Sequence, residues 1–210
     1  MSEAVDRAHD AIRQGILEGR FPPGTRLVEE QLAEEIGLST TPVREAVQRL
    51  AAEGVVEFVP HRGPHVASWS QSELDVIFEL RSMLEGFAAG LAATRIDNAT
   101  IGRLAELAER LEEATRSDDE DRLDRIATLN NTFHAEVVSA AADRHVSRLL
   151  EGLQQAPLVH RTFRRYDERA LARSMAHHRE LIDAFRAHDP GWAKTVMTLH
   201  VLAAKAALRH

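Results

Sequence analysis

The 210-residue sequence predicts a mostly α-helical protein in two parts. Residues 1–68 read as three helices followed by a hairpin, and residues 69–210 as an antiparallel bundle of about six helices. Apolar residues recur at helical spacing along nearly the whole chain. A strand-like run with a returning partner occurs between Val55 and Ala67. Beyond Ser70 no strand pattern appears, and helical stretches alternate with short polar junctions.

In the first part, Val5, Ala8, Ile12, Ile16 and Leu17 keep helical spacing until Gly19-Arg20-Phe21-Pro22-Pro23-Gly24 breaks the pattern. Thr25-Arg26-Leu27 is a short extended piece. Val28, Leu32 and Ile36 then share one face of a second helix that stops at Gly37, a residue suited to a left-handed C-terminal cap. Ser39-Thr40-Thr41 offers capping hydroxyls, and Pro42 suits the first position of a third helix. Val43, Ala46, Val47, Leu50 and Ala51 carry that helix to Gly54. Val55 to Val59 predicts a strand, Pro60 to Pro64 a turn, and His65-Val66-Ala67 the returning strand. Helix, helix, helix, hairpin is the order of a winged helix-turn-helix.

The second part opens on Ser70-Gln71-Ser72-Glu73, a capping-box pattern. Helices are expected over 71–95, 99–116, 119–141, 144–165, 168–188 and 191–208, parted at Asp97-Asn98, Ser117-Asp118, Asp143, Tyr166-Asp167 and Asp189-Pro190. The charge-dense run Arg116 to Asp121 reads as a solvated loop and helix start.

Composition bounds the function. Hydrophobic residues make up 44% of the chain, enough for a sizeable core, and there is no cysteine, which excludes disulfides and thiolate chemistry. The longest apolar run, Phe87 to Ala93, is far short of the roughly 20 residues of a membrane helix. The first ten residues carry acids and no apolar stretch, so no signal peptide is read there, and a cytoplasmic location is expected. Net charge is −7, and residues 1–67 alone hold seven Arg and no Lys against eleven acids, a balance of −4. Any phosphate-gripping surface is therefore a small cluster of arginines, which predicts modest non-specific DNA affinity and reliance on dimerisation.

The stretch GRFPPGTRLVEEQLAEEIGLSTTPVREAVQRLAAEGVVEFVPHRGPHVA resembles the DNA-binding domain of the GntR superfamily. The later segments ELRSMLEGFAAGLAA, NNTFH, SMAHHRELIDAF and AKTVMTLH are similar to the FCD ligand-binding domain of its FadR-like branch. The resemblance implies a homodimeric transcription regulator, most simply a repressor, that binds a palindromic operator and responds to a small molecule.

For the DNA side it implies that the start of the third helix meets the major groove. Arg44 would contact a base, where its planar fork matches guanine, and Ser39, Thr40 and Thr41 would donate to phosphates. Arg49 would either reach a phosphate or pair with Glu45, four residues earlier. Arg62 and Gly63 at the wing tip would approach the minor groove or form a plain turn. Many FadR-like members carry Arg where this chain has Thr40.

For the sensing side, Asn130 and His134 are one helical turn apart, and His178 and His200 come from two later helices. The resemblance implies that these four hold a divalent metal, with zinc or nickel favoured and iron or manganese also compatible; Asn130 stands where the family usually has Asp. Arg81 suits an effector carboxylate, which could bridge to the metal beside Asn130, or it pairs with Glu85 at i, i+4. His177 replaces an expected acid and would stand behind the ligands or at the surface. Two other readings stay open. The regulator could hold an apolar or acyl ligand without metal. A metal-dependent hydrolase could use the same histidines to activate water, although the sequence shows no paired general-base carboxylate beside them.

Overall fold

A computed structural model describes residues 3–68, 70–119, 121–151, 153, 162–163 and 165–208. The chain divides into two compact units, 1–70 and 71–210, and each is described by itself.

The first unit consists of α1 (Glu3–Leu17), α2 (Glu29–Ile36), α3 (Thr40–Ala52), β1 (Val56–Val59) and β2 (Gly63–Val66). Its core is formed by the apolar faces that the spacing predicts, with Ile12, Val43, Val47 and Leu50 fully buried and Leu27 and Leu32 beside them. Gly37 caps α2 at φ 73°, where its amide donates back to the last turn. A side chain with a Cβ would be strained there. Two details differ from the sequence reading. Helix α3 begins at Thr40, so Pro42 is its third residue, still within the turn whose amides need no intrahelical partner. Strand β2 begins at Gly63, inside the expected turn, and pairs antiparallel with β1 in the register Val56↔Val66 to Val59↔Gly63. The cause is a third segment: Arg26 bridges His65, and the Leu27 amide donates to the Pro64 carbonyl at 2.9 Å, which draws Pro64 into the sheet.

The second unit holds α4 (Gln71–Ala93), α5 (Asn98–Arg116), α6 (Arg122–Ala140), α7 (Arg144–Glu151), α8 (Glu168–Arg186) and α9 (Pro190–Ala207). Nine helices and one two-stranded sheet are thus present among the described residues. The expected helix 144–165 is seen as α7 to Glu151; most of its remainder, 152 and 154–161, lies outside the described residues. The junctions at Asp97, Asp167 and Asp189 act as N-caps. Asp97 accepts from the Thr100 amide at 2.7 Å, Asp167 from Ala170 at 2.7 Å and Asp189 from Trp192 at 2.9 Å. Each satisfies a helix amide that has no partner within its own helix. Helix α9 lies close along α4 because Gly86 and Gly90 lack side chains. A Cβ on Gly86 would stand 2.3 Å from the Thr198 hydroxyl, and one on Gly90 would stand 3.2 Å from the Pro190 carbonyl. This close approach sets α4, α6, α8 and α9 around one interior from which the polar side chains described next project.

Candidate metal centre and DNA-reading face

His134 on α6, His178 on α8 and His200 on α9 meet inside the second unit. All three are buried, and one nitrogen from each lies within 4.8 Å of the others. The His134 and His200 Nε2 atoms are 3.2 Å apart, and the His178 and His200 ring centres are 4.7 Å apart. Three helices are needed to build the cluster. Each histidine replaces an apolar residue on an inward stripe, and His178 lies against Phe133 with ring centres 4.6 Å apart.

Burial keeps the His178 and His200 rings neutral. Burial pushes the His178 and His200 pKa values well below the usual imidazole value of 6.5, and the neighbouring imidazoles add to the effect. Neutral rings present lone pairs. Both His178 nitrogens, His200 Nδ1 and Asn130 Oδ1 are buried without a hydrogen-bond partner. Each such group costs about 1–3 kcal/mol if nothing engages it.

Arg81, Asn130, His134 and His200 line one cavity of about 20 Å³, together with Phe78, Phe163 and Tyr166 among others. Space of this size is about that of a water or two. Burial raises the Tyr166 pKa to about 12, so its hydroxyl keeps its proton.

Beneath the cavity runs a charged chain. Arg81 Nε donates to Glu85 Oε1 at 2.7 Å, and Glu85 Oε2 stands 2.5 Å from His134 Nδ1. Burial alone would raise the Glu85 pKa; the Arg81 charge and the His134 contact outweigh it and hold the carboxyl at about 2. The i, i+4 pairing of Arg81 with Glu85 is thus formed, while the guanidinium still borders the cavity and stacks on Phe78. His177 is buried, its ring centre 5.8 Å from that of His200, so it is not a surface residue. Glu85 is the residue that sequence reasoning missed as part of the site. Its spacing from Arg81 was readable, whereas its contact with His134, 49 residues away, was not.

The donor set fits a divalent ion. Ligand nitrogens around tetrahedral zinc stand about 3.4 Å apart, given metal–nitrogen distances of about 2.1 Å. The cluster, with one separation of 3.2 Å and none above 4.8 Å, needs only a modest contraction to reach this.

In the first unit the expected DNA-contacting residues take these positions. Ser39 is the exposed N-cap of α3 and its side chain makes no capping bond. Thr41 and Arg44 are exposed and Thr40 is half-buried. Arg44 Nε donates to Glu29 of α2 at 2.8 Å, and its side chain remains 56% exposed. A pair this open is worth under about 1 kcal/mol, so it costs little to exchange for another anion. Arg49 pairs with Asp6 at 2.9 Å and with Glu53 at 3.3 Å, instead of with Glu45, because α1 crosses this face of α3. Arg62 is exposed at the wing tip, and Gly63 adopts φ 83° as the chain re-enters the sheet.

A helix-turn-helix unit with a wing, followed by a helical unit with a buried polar cavity, defines a transcription regulator. Family models agree on both parts: residues 4–66 match the bacterial regulatory proteins of the gntR family and residues 76–203 match the FCD domain. The chain belongs to the GntR family of regulators and carries an FCD domain. It is 33% identical over 207 residues to a probable D-xylose utilization operon transcriptional repressor of Paenarthrobacter nicotinovorans, covering 98% of this chain and 89% of that protein. It is 31% identical over 152 residues to the uncharacterized regulator YdhC of Bacillus subtilis, covering 72% of this chain and 66% of that one. The solved structure of Escherichia coli McbR/YncC shares the fold, with TM-score 0.78 and 24% identity over 100% of this chain and 98% of the other. Among the described residues no helix is long and apolar enough to cross a membrane.

Proposed function

We propose that the chain is a repressor that binds a palindromic operator as a homodimer and is controlled by a small carboxylate sensed at a metal centre in residues 71–210. The supporting observation is the convergence of His134, His178 and His200, where both His178 nitrogens and His200 Nδ1 are buried and unpartnered, together with Asn130, whose amide oxygen is equally unpartnered. Those four side chains would hold the ion, which supplies a Lewis-acidic position for an anionic ligand. With no carboxylate among the four, the set favours zinc or nickel, ions that bind imidazole well. Arg81 borders the same cavity and supplies a fixed positive charge for the ligand carboxylate.

Operator contact would rest on Arg44, with Ser39, Thr40 and Thr41 toward phosphates and Arg62 and Gly63 at the wing. Arg49, held by two acids, would serve mainly to fix α3 on α1. Dimerisation would draw on α4, where Val76, Leu80, Met83 and Phe87 form an exposed apolar stripe at i, i+4, i+7 and i+11. The test is a mobility-shift titration with DNA upstream of the protein's own gene, with and without zinc and a panel of small carboxylates. A change of roughly 5- to 150-fold in operator affinity, the range of ordinary allosteric coupling, is expected with one carboxylate in the presence of metal. Operator affinity that no metal or carboxylate changes would overturn the sensing half of the proposal.

A further inference from the structure

We infer that Glu85 is the positioning residue of the metal centre: it fixes His134 with the Nδ1 proton toward its carboxylate and the Nε2 lone pair toward His178 and His200. This rests on the metal reading above and names a residue outside the four ligands. A neutral imidazole carries one proton, and a nitrogen that faces a hydrogen-bond acceptor keeps it, which leaves the other nitrogen with its lone pair. At His134, Nδ1 faces a carboxylate oxygen at 2.5 Å, and the other oxygen of that carboxylate accepts from the Arg81 guanidinium at 2.7 Å. The proton therefore sits on Nδ1. Nε2 is left as an acceptor directed into the cluster, 3.2 Å from His200 Nε2. A metal-bound histidine held by a carboxylate on its far nitrogen is the arrangement that fixes ring orientation and raises ligand basicity.

Arg81 supports this polarity. A guanidinium only donates, so the Glu85 oxygen it touches must accept, and the second oxygen of this side chain, which is 1% exposed, has His134 as its partner. In Glu85→Gln the single amide oxygen is claimed by Arg81. The amide NH2 then faces His134 Nδ1 and donates to it, which moves the imidazole proton to Nε2, the nitrogen the metal needs bare. The substitution keeps shape and size while reversing the hydrogen-bond direction.

Two measurements on the full-length protein, purified without a histidine tag, test the assignment. In metal-free wild type near neutral pH, nitrogen-15 NMR of the histidine rings should show a protonated Nδ1 at His134, and E85Q should show that proton on Nε2. Zinc and cobalt affinities, measured by chelator competition, should fall about 10- to 100-fold in E85Q. A role confined to stability would lower the melting temperature of E85Q without moving the ring proton. A bare Nδ1 in wild type, or E85Q binding metal within about twofold of wild type, would overturn the role of Glu85. If E85Q does not fold, the wild-type NMR measurement decides by itself. Failure of wild type to bind either ion would instead overturn the metal reading.

Discussion

Replacing His178 with leucine should stabilise the metal-free protein and at the same time abolish its response to metal. His178 is completely buried, and neither ring nitrogen has a hydrogen-bond partner. Burial holds its pKa well below 6.5, so near neutral pH the ring is uncharged and the cost is that of an unsatisfied polar group, about 1–3 kcal/mol. Leucine has a similar volume and would lie against Phe133 as the imidazole does. Such repacking costs less than about 1.5 kcal/mol, so mid-range values leave a net gain of about 1 kcal/mol. For a chain of this size that raises the melting temperature by about 2–4 °C. Zinc at a hundredfold excess over its Kd should add about 2.7 kcal/mol to wild type, because it binds only the folded state. In H178L the zinc increment should largely disappear. Differential scanning calorimetry of both proteins with and without zinc gives all four numbers. A metal-free H178L that melts below wild type and still gains the full zinc increment would refute the reasoning, since it would mean that His178 is satisfied by the protein and is not a ligand.

Arg44→Ala should weaken specific operator binding by about 1–3 kcal/mol, read by fluorescence anisotropy, while its loss of the open pair with Glu29 leaves the melting temperature nearly unchanged. Met83, 62% exposed on α4, should belong to the dimer contact, so Met83→Glu should sediment as a monomer at concentrations where wild type is dimeric. At acid pH the helix caps Asp97 and Asp143 matter. Hydrogen bonds from the Thr100 side chain and then its amide to Asp97, and from the Val146 and His145 amides to Asp143, hold their folded pKa values below 3.8. Their contribution is therefore complete above about pH 4 and is lost as pH falls through the lowered values. The double variant D97N/D143N, which keeps capping oxygens without the charge, should lose less stability than wild type between about pH 4 and 2 in urea titrations.

How much of this was legible in the sequence follows from the range of each interaction. Helix boundaries at Asp97, Asp167 and Asp189 were readable because a cap acts over three residues. The start of β2 was not, because Pro64 is drawn into the sheet by Leu27, far away in the chain. Arg49 had a plausible partner at Glu45, but α1 brings Asp6 closer, and a sequence window around α3 contains no trace of α1. In the metal centre, periodicity places Asn130 and His134 on one face of a helix. Only the family resemblance linked them to His178 and His200, since nothing in helical spacing distinguishes these from other inward residues. Glu85 escaped for the same reason as Asp6: its second partner lies on another helix, 49 residues away.

The central claim is that His134, His178 and His200 with Asn130 hold a divalent ion. The most direct measurement is elemental analysis of protein purified without a histidine tag, paired with melting curves on adding zinc. The account predicts about one equivalent of divalent metal per chain, or its uptake on adding zinc with a rise in melting temperature, both lost when the three histidines are replaced. Metal below about a tenth of an equivalent after zinc addition, with an unchanged melting temperature, would contradict it.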